Sequence, residues 1–335
     1  MKINVSKSNG INIIELSSNK MKVKLLDLGA TVYEILLKDE NQFDNVVLTH
    51  HDINDYKINT PYFGSTVGPT AGRISNSSYK LNGKTISLDD NNFGNCLHGG
   101  SNGFHLKYWG YDLVETKSSV GVIFKLEFDA DKLMGSGYVT AMYTLNESNE
   151  LRVDHNAQFD KDVLLNMANH TYFNLSGNYK SSILDHQLMI NADEYIATNT
   201  NMLPISKKPV NEVMDFRIPK AIGKDINDSS LQKHPAKGYD NPWMLCESVD
   251  ASVELINKEN ERVLQVYTSY PSVVVYTANY PFEGLLKPGI VNEKHMGICL
   301  ETQYEPDGIN HRNLNDAILA STDRYNEYTI IKFIF

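Results

Sequence analysis

The stretch Val120-Gly121-Val122-Ile123-Phe124-Lys125-Leu126-Glu127-Phe128 sets Val120, Val122, Phe124, Leu126 and Phe128 against Gly121, Ile123, Lys125 and Glu127. Apolar side chains recur at every second residue, the pattern of a strand with one face in a core. Upstream, Tyr79-Lys80-Leu81 and Lys84-Thr85-Ile86-Ser87-Leu88 flank Asn82-Gly83. That dipeptide suits a type I′ hairpin turn, whose two central residues both need positive φ. The same period predicts strands at Ile11 to Leu16, Met21 to Leu26, Thr31 to Lys38, Tyr138 to Leu145, Leu151 to Gln158, Gln187 to Asn191, Val263 to Tyr267, Ser272 to Thr277, Gly297 to Glu301 and Thr329 to Phe333. No segment of 12 or more residues keeps a clean helical stripe. The best short helix candidates are Ile53 to Ile58 and Asn315 to Ala320. The expected fold is all-β, a large antiparallel β-sandwich with few short helices.

No Pro-rich or Gly/Ser-rich linker divides the 335 residues, and no repeat of 20 to 50 residues is present, so a single domain over residues 1–335 is expected. The loosest stretch, Thr198 to Pro219, reads as a long ordered excursion. With 41% apolar residues, 19 Tyr and 12 Phe, the chain has material for a sizeable core. A net charge of −10 argues against nucleic acid or an anionic membrane as partner, since either needs a basic face. No signal-like or membrane-length apolar run appears, so the expected location is cytoplasmic. Cys96, Cys246 and Cys299 are odd in number and lack CxxC spacing, so neither a disulfide framework nor a zinc knuckle is expected.

Two polar motifs stand out, Asn169-His170-Thr171-Tyr172-Phe173-Asn174-Leu175 and Glu301-Thr302-Gln303-Tyr304-Glu305-Pro306-Asp307. A His can donate a proton near neutral pH and a Glu can accept one. Taken alone, His170 reads equally as a satisfied core residue and Glu301 as a solvated carboxylate at a strand end. Asn169 and Asn174 beside the His need backbone or ligand partners if buried. Leu97-His98-Gly99-Gly100 places a His where a ligand can approach bare backbone, or else forms an ordinary turn. Gly68 to Ile74 delivers Arg73 from a Gly-containing loop without the spacing of a phosphate cradle. Gly238-Tyr239-Asp240-Asn241-Pro242-Trp243 joins a carboxylate to an indole, a pairing that suits the hydroxyls and the C–H face of a sugar, or else an Asn-Pro turn with a core Trp. Metal-ligand spacing is poor beyond Cys96 and His98, and no GxSxG elbow is present.

Taken in order, Ala71-Gly72-Arg73-Ile74, Asn95 to Gly100, Asn169 to Leu175, Val213-Met214-Asp215-Phe216-Arg217, Gly238-Tyr239-Asp240 and Glu301-Thr302-Gln303 with Pro306-Asp307 closely resemble the aldose 1-epimerase (galactose mutarotase) family. The resemblance spans roughly residues 20 to 335. It implies one large β-sandwich, no required cofactor and free aldohexoses as substrates. Carried over by position, it makes His170 the general acid, Glu301 the general base, and Arg73, His98 and Asp240 substrate-binding residues. The chain departs from the family pattern at Pro69 and Gly72, where many members have Arg and Asn. It also carries Val273, Val274 and Val275 where some members turn a Gln towards the sugar. Rival readings are a non-catalytic sugar-binding or regulatory protein on the same fold, a hexose-6-phosphate mutarotase, and a glycoside hydrolase using Glu301 and Asp240. A monomer or homodimer is expected.

Overall fold

The computed structural model describes residues 1–40 and 42–335. Three antiparallel sheets dominate. A five-stranded sheet holds the N-terminal strands in sequence order, Lys2–Ser8, Ile11–Ser17, Met21–Leu26, Thr31–Asp39 and Gln42–Asn45. A nine-stranded sheet contains Ser119–Asp131, Gly135–Asn146, Glu150–Phe159 and the C-terminal strand Tyr325–Ile334. The six-stranded sheet runs, side by side, Tyr172–Phe173, Ile298–Gln303, Ser272–Tyr276, Asp240–Met244, Glu194–Thr198 and Pro204–Pro209. The fold is thus the large antiparallel sandwich expected. One apolar cluster draws Leu16, Val23 and Ile35 from the first sheet, Val122, Tyr143, Val153 and Phe333 from the second, and Trp243, Val273 and Val275 from the third.

The alternation over Val120 to Phe128 carries into this packing: Val120, Val122 and Phe124 are buried while Lys125 and Glu127 are exposed. The hairpin forms as expected, with Asn82 and Gly83 both at positive φ between Ser78–Leu81 and Lys84–Ser87.

Of the two short helices expected, one forms as a 3₁₀ helix and the other is corrected. Ile53 to Ile58 is a 3₁₀ turn, Ile53–Lys57, opened by the Asp52 carboxylate accepting the Asn54 N–H. Asn315 to Ala320 is not helical. There the Asn315 and Asp316 side chains take the N–H groups of Ala317 and Ile318, Ala317 adopts φ 54°, and Ile318–Leu319 pairs with Val163–Leu164. Short polar side chains compete with the helical hydrogen bonds and win here. Among the described residues the α-helix is Ser229–Lys233, a single turn capped by Asp228 that has no apolar stripe to announce it. The loose stretch from Thr198 contains a strand, Pro204–Pro209, at the edge of the six-stranded sheet, where prolines are tolerated.

Candidate active site

The six-stranded sheet decides which side chains share a face. Glu301 pairs with Val274 and Val274 with Pro242; two residues along, Cys299 pairs with Tyr172 and Tyr276, and Tyr276 with Asp240. Because side chains alternate, Glu301, Cys299, Tyr172, Tyr276, Val274 and Asp240 all stand on one face, and Trp243, Val273, Val275 and Leu300 turn into the core on the other. This corrects the pairing of Asp240 with Trp243. An offset of three residues along a strand puts them on opposite faces, and the indole is fully buried, donating its N–H to the Met214 carbonyl.

Glu301 is likewise not a solvated strand end. It lies inside Ile298–Gln303 and is 3% exposed. His170 sits in the two-residue gap between the short strands Ala168–Asn169 and Tyr172–Phe173 and is 5% exposed. Its Nε2 lies 3.4 Å from Glu301 Oε1, and its Nδ1 lies 3.5 Å from Cys299 Sγ. The flanking asparagines staple this segment: Asn169 donates to the Gly64 carbonyl, and the fully buried Asn174 donates to the Ser181 and Met296 carbonyls.

His98 reaches the same place from a different loop. Its ring stands edge-on to that of His170 with centroids 5.1 Å apart, and its Nδ1 accepts the Gly72 N–H. Its backbone has φ 50°, and Gly99 follows at φ 83° against the Gly68 carbonyl, where a Cβ would collide. Arg73 is half-buried and anchored by Nε donating to Asn92 Oδ1, while its terminal nitrogens have no protein partner among the described residues. Its loop lies beside His98, since Arg73 pairs with Leu97, and its positive charge opposes the upward shifts of the Asp240 and Glu301 carboxyls. The structure therefore gathers all five expected residues, His170, Glu301, Arg73, His98 and Asp240, around one face.

Sequence reading missed Tyr62, His105 and Cys299. Tyr62 packs on His98, His105 and His170 with ring centroids at 4.6, 4.8 and 5.6 Å. Neither Tyr62 nor His105 falls in a motif, and only the folded loops bring them in. Cys299 carried a signal in hindsight: it lies two residues before Glu301, and so shares its face.

The electrostatics follow from burial. Desolvation pushes the Glu301 carboxyl well above its usual range, Asp240 adding to the shift and Arg73 opposing it. Desolvation pulls His170 down to about 3 and, with the neighbouring imidazoles and Arg73, holds His98 well below its ordinary value. Water is excluded from a carboxyl and an imidazole in contact, which favours their neutral forms. Metal binding is a poor fit to this site. His98, His170 and Glu301 do bring one ligand atom each within 4.8 Å of one another. However, an Nδ1 that accepts the Gly72 N–H leaves the His98 proton on Nε2, which then has no lone pair to offer a metal.

Comparison with known proteins gives a consistent result. The family model described as "Aldose 1-epimerase" matches residues 12–332. The chain is 33% identical over 328 residues to a galactose mutarotase of Mus musculus, covering 95% of this chain and 93% of that one. It is 33% identical over 325 residues to an aldose 1-epimerase of Haemophilus influenzae, covering 95% and 94%. The crystal structure of galactose 1-epimerase from Lactobacillus acidophilus NCFM superposes with a TM-score of 0.87 at 28% identity, covering 100% of this chain and 99% of that one. Among the described residues no helix is long and apolar enough to cross a membrane.

Proposed function

This chain belongs to the aldose 1-epimerase family and is an aldose epimerase, and on that premise we propose that it interconverts the α and β anomers of free aldohexoses such as D-galactose and D-glucose. The observation that carries the reading is the contact of His170 Nε2 with Glu301 Oε1 at 3.4 Å, both side chains buried, beside Arg73, His98 and Asp240.

Glu301 takes the proton of the C1 hydroxyl while His170 protonates the ring oxygen; the C1–O bond of the ring breaks and the aldehyde forms without a free alkoxide. Rotation about C1–C2 then presents the other carbonyl face, and closure runs the transfers backwards. His98, with its proton on Nε2, donates to a hydroxyl; Arg73 donates through its free terminal nitrogens, and Asp240 accepts. Together they hold the rest of the sugar so that only C1 turns. His170 and Glu301 trade one proton between them. When the ring form binds, the proton of the resting Glu301 carboxyl passes to His170 Nε2, 3.4 Å away, so opening starts from carboxylate and imidazolium and ends in the neutral pair, Glu301 protonated and His170 not, which is the state of the open-chain complex. A depressed His170 makes a strong acid and a raised Glu301 a strong base, which suits transfers to and from sugar oxygens.

Two neighbours bear on specificity. Val274, beside Glu301 on the same face, offers no hydrogen bond, and Gly72 offers no side chain. Val274 thus gives the base one apolar neighbour, and hydroxyl selection falls to Arg73, His98 and Asp240 together with the buried Gln303 amide, two residues from Glu301 along the strand and close to Gly72. The hydrolase alternative is disfavoured because Glu301 faces an imidazole. We propose further that residues 1–335 act as one domain, since the main apolar cluster runs from Ile14 to Phe333.

The test is polarimetry. Freshly dissolved α-D-galactose or α-D-glucose reaches anomeric equilibrium faster with the protein than without it. An unchanged relaxation rate with folded protein refutes the substrate assignment.

A further inference from the structure

We propose that Cys299 is a positioning residue for His170: its neutral Sγ accepts the Nδ1–H hydrogen bond, which reserves Nε2 as the nitrogen that trades a proton with the sugar ring oxygen. This rests on the assignment of His170 as the acid.

Cys299 is fully buried, pairs across the strands with Tyr172, and places Sγ 3.5 Å from His170 Nδ1. The other ring nitrogen faces Glu301 at 3.4 Å. The imidazole is boxed in by the rings of Tyr172, His98 and Tyr62, at centroid distances of 5.1, 5.1 and 5.6 Å, so the ring cannot flip, which would move both nitrogens off their partners, without displacing a neighbour. The His170 carbonyl adds a second attraction for a proton on the ring. Among the described residues Cys299 is the only side chain bonded to Nδ1.

Proton bookkeeping selects the tautomer. During opening, Nε2–H passes to the ring oxygen as the C1–O bond breaks, and the C1 hydroxyl proton passes to Glu301. His170 is then neutral, and the proton it keeps is on Nδ1. A tautomer with Nδ1 bare would have to surrender its only proton from Nε2 and become an imidazolate. The acceptor at Nδ1 must therefore hold a proton there in both halves of the cycle. A carboxylate in that place would do so, but it would also stabilise the imidazolium and weaken the acid. A thiol does not. Burial and the nearby Glu301 and Asp240 carboxyls push Cys299 well above its ordinary range, so it stays uncharged. It fixes the ring without adding a charge to a neighbourhood that already contains Glu301, Asp240, Arg73, His98 and His105.

The experiment is long-range proton–nitrogen NMR on the full-length protein with ¹⁵N-labelled histidine, paired with polarimetric kinetics of Cys299→Ala and Cys299→Ser. At pH 7 the expected wild-type spectrum has His170 protonated at Nδ1 and bare at Nε2. Cys299→Ala is expected to lower kcat about fivefold, the worth of one modest hydrogen bond, with KM within about twofold. Cys299→Ser, which keeps an acceptor, is expected to recover most of the rate. A wild-type ring bare at Nδ1 overturns the proposal, and so does an Ala variant with unchanged kcat or a Ser variant as slow as Ala. If the Ala variant does not fold, the wild-type spectrum and the Ser variant decide. Full activity in His170→Asn would instead refute the acid assignment, and the tautomer spectrum separates that failure from this one.

Discussion

Glu301→Gln is expected to separate activity from stability in a way that depends on pH. The wild-type carboxyl is 3% exposed, lies against a neutral imidazole and is pushed well above its usual range, chiefly by burial. The folded protein therefore keeps a proton on this group at pH values where the unfolded chain, titrating near 4.5, has lost it. Stability rises with pH where the unfolded state binds more protons, and here the folded state binds more, so the contribution falls as pH rises. One proton corresponds to about 1.4 kcal/mol per pH unit between roughly pH 5 and the folded-state value. Glutamine cannot titrate. Its variant should thus gain on the wild type by about 1.4 kcal/mol for each unit across that window, while kcat falls by about 10²- to 10⁴-fold for loss of a general base. Urea unfolding of both proteins at pH 5, 6, 7 and 8 reads the first effect, and polarimetry at pH 7 the second. A stability difference that does not change with pH would show that Glu301 titrates in the fold as it does in water, and the account of its basicity would fall.

Other consequences are simpler to state. His170→Asn should slow mutarotation by about 10²-fold or more at nearly unchanged KM, whereas loss through KM alone would make His170 a binding residue. Gly72→Ala should impair both folding and sugar affinity. Gly72 has φ 75°, a Cβ there would lie 2.8 Å from the Pro306 Cβ, and Arg73 is the next residue; wild-type KM and melting temperature in that variant would refute the constraint. Asn174→Ala should cost about 2 to 4 kcal/mol by denaturant melting, since it strands the Met296 carbonyl and the Ser176 N–H and leaves the Ser176 hydroxyl with only the Ser181 carbonyl to donate to. On acidification, His105, His155 and His186, each held by burial at about 4, stay neutral in the fold while the unfolded chain takes up protons below about 6.5. These three groups alone should therefore lower stability by about 4 kcal/mol per pH unit near pH 5, and a flat profile between pH 6 and 5 would contradict their burial as neutral groups.

The strands were legible because their evidence is local. A period of two over Val120 to Phe128 and an Asn-Gly turn at residues 82 and 83 need no distant partner to be read. The one misread helix failed for a reason of side-chain chemistry: Asn315 and Asp316 bond to nearby main-chain N–H groups, and hydropathy does not register that competition. The motifs located the five expected residues at the site through resemblance. Their roles in a wall or a pocket came from register. Trp243 was misplaced because only the pairing of Asp240–Met244 with Ser272–Tyr276 shows which face each residue takes. Tyr62 and His105 were invisible because their nearness to His170 is a property of folded loops about 65 to 110 residues away in the chain.

The pairing of Tyr172 with Cys299 joins segments 127 residues apart, and the imidazole and carboxyl hang two residues from it on either strand. Half of the site is thus worthless to a nascent or partly refolded chain. Loop closure over such a span is among the slower events of folding, so turnover serves as a reporter of finished topology. In a refolding reaction, recovery of the anomerisation rate should lag behind the return of strand structure in the N-terminal sheet, whose neighbouring strands follow one another along the sequence.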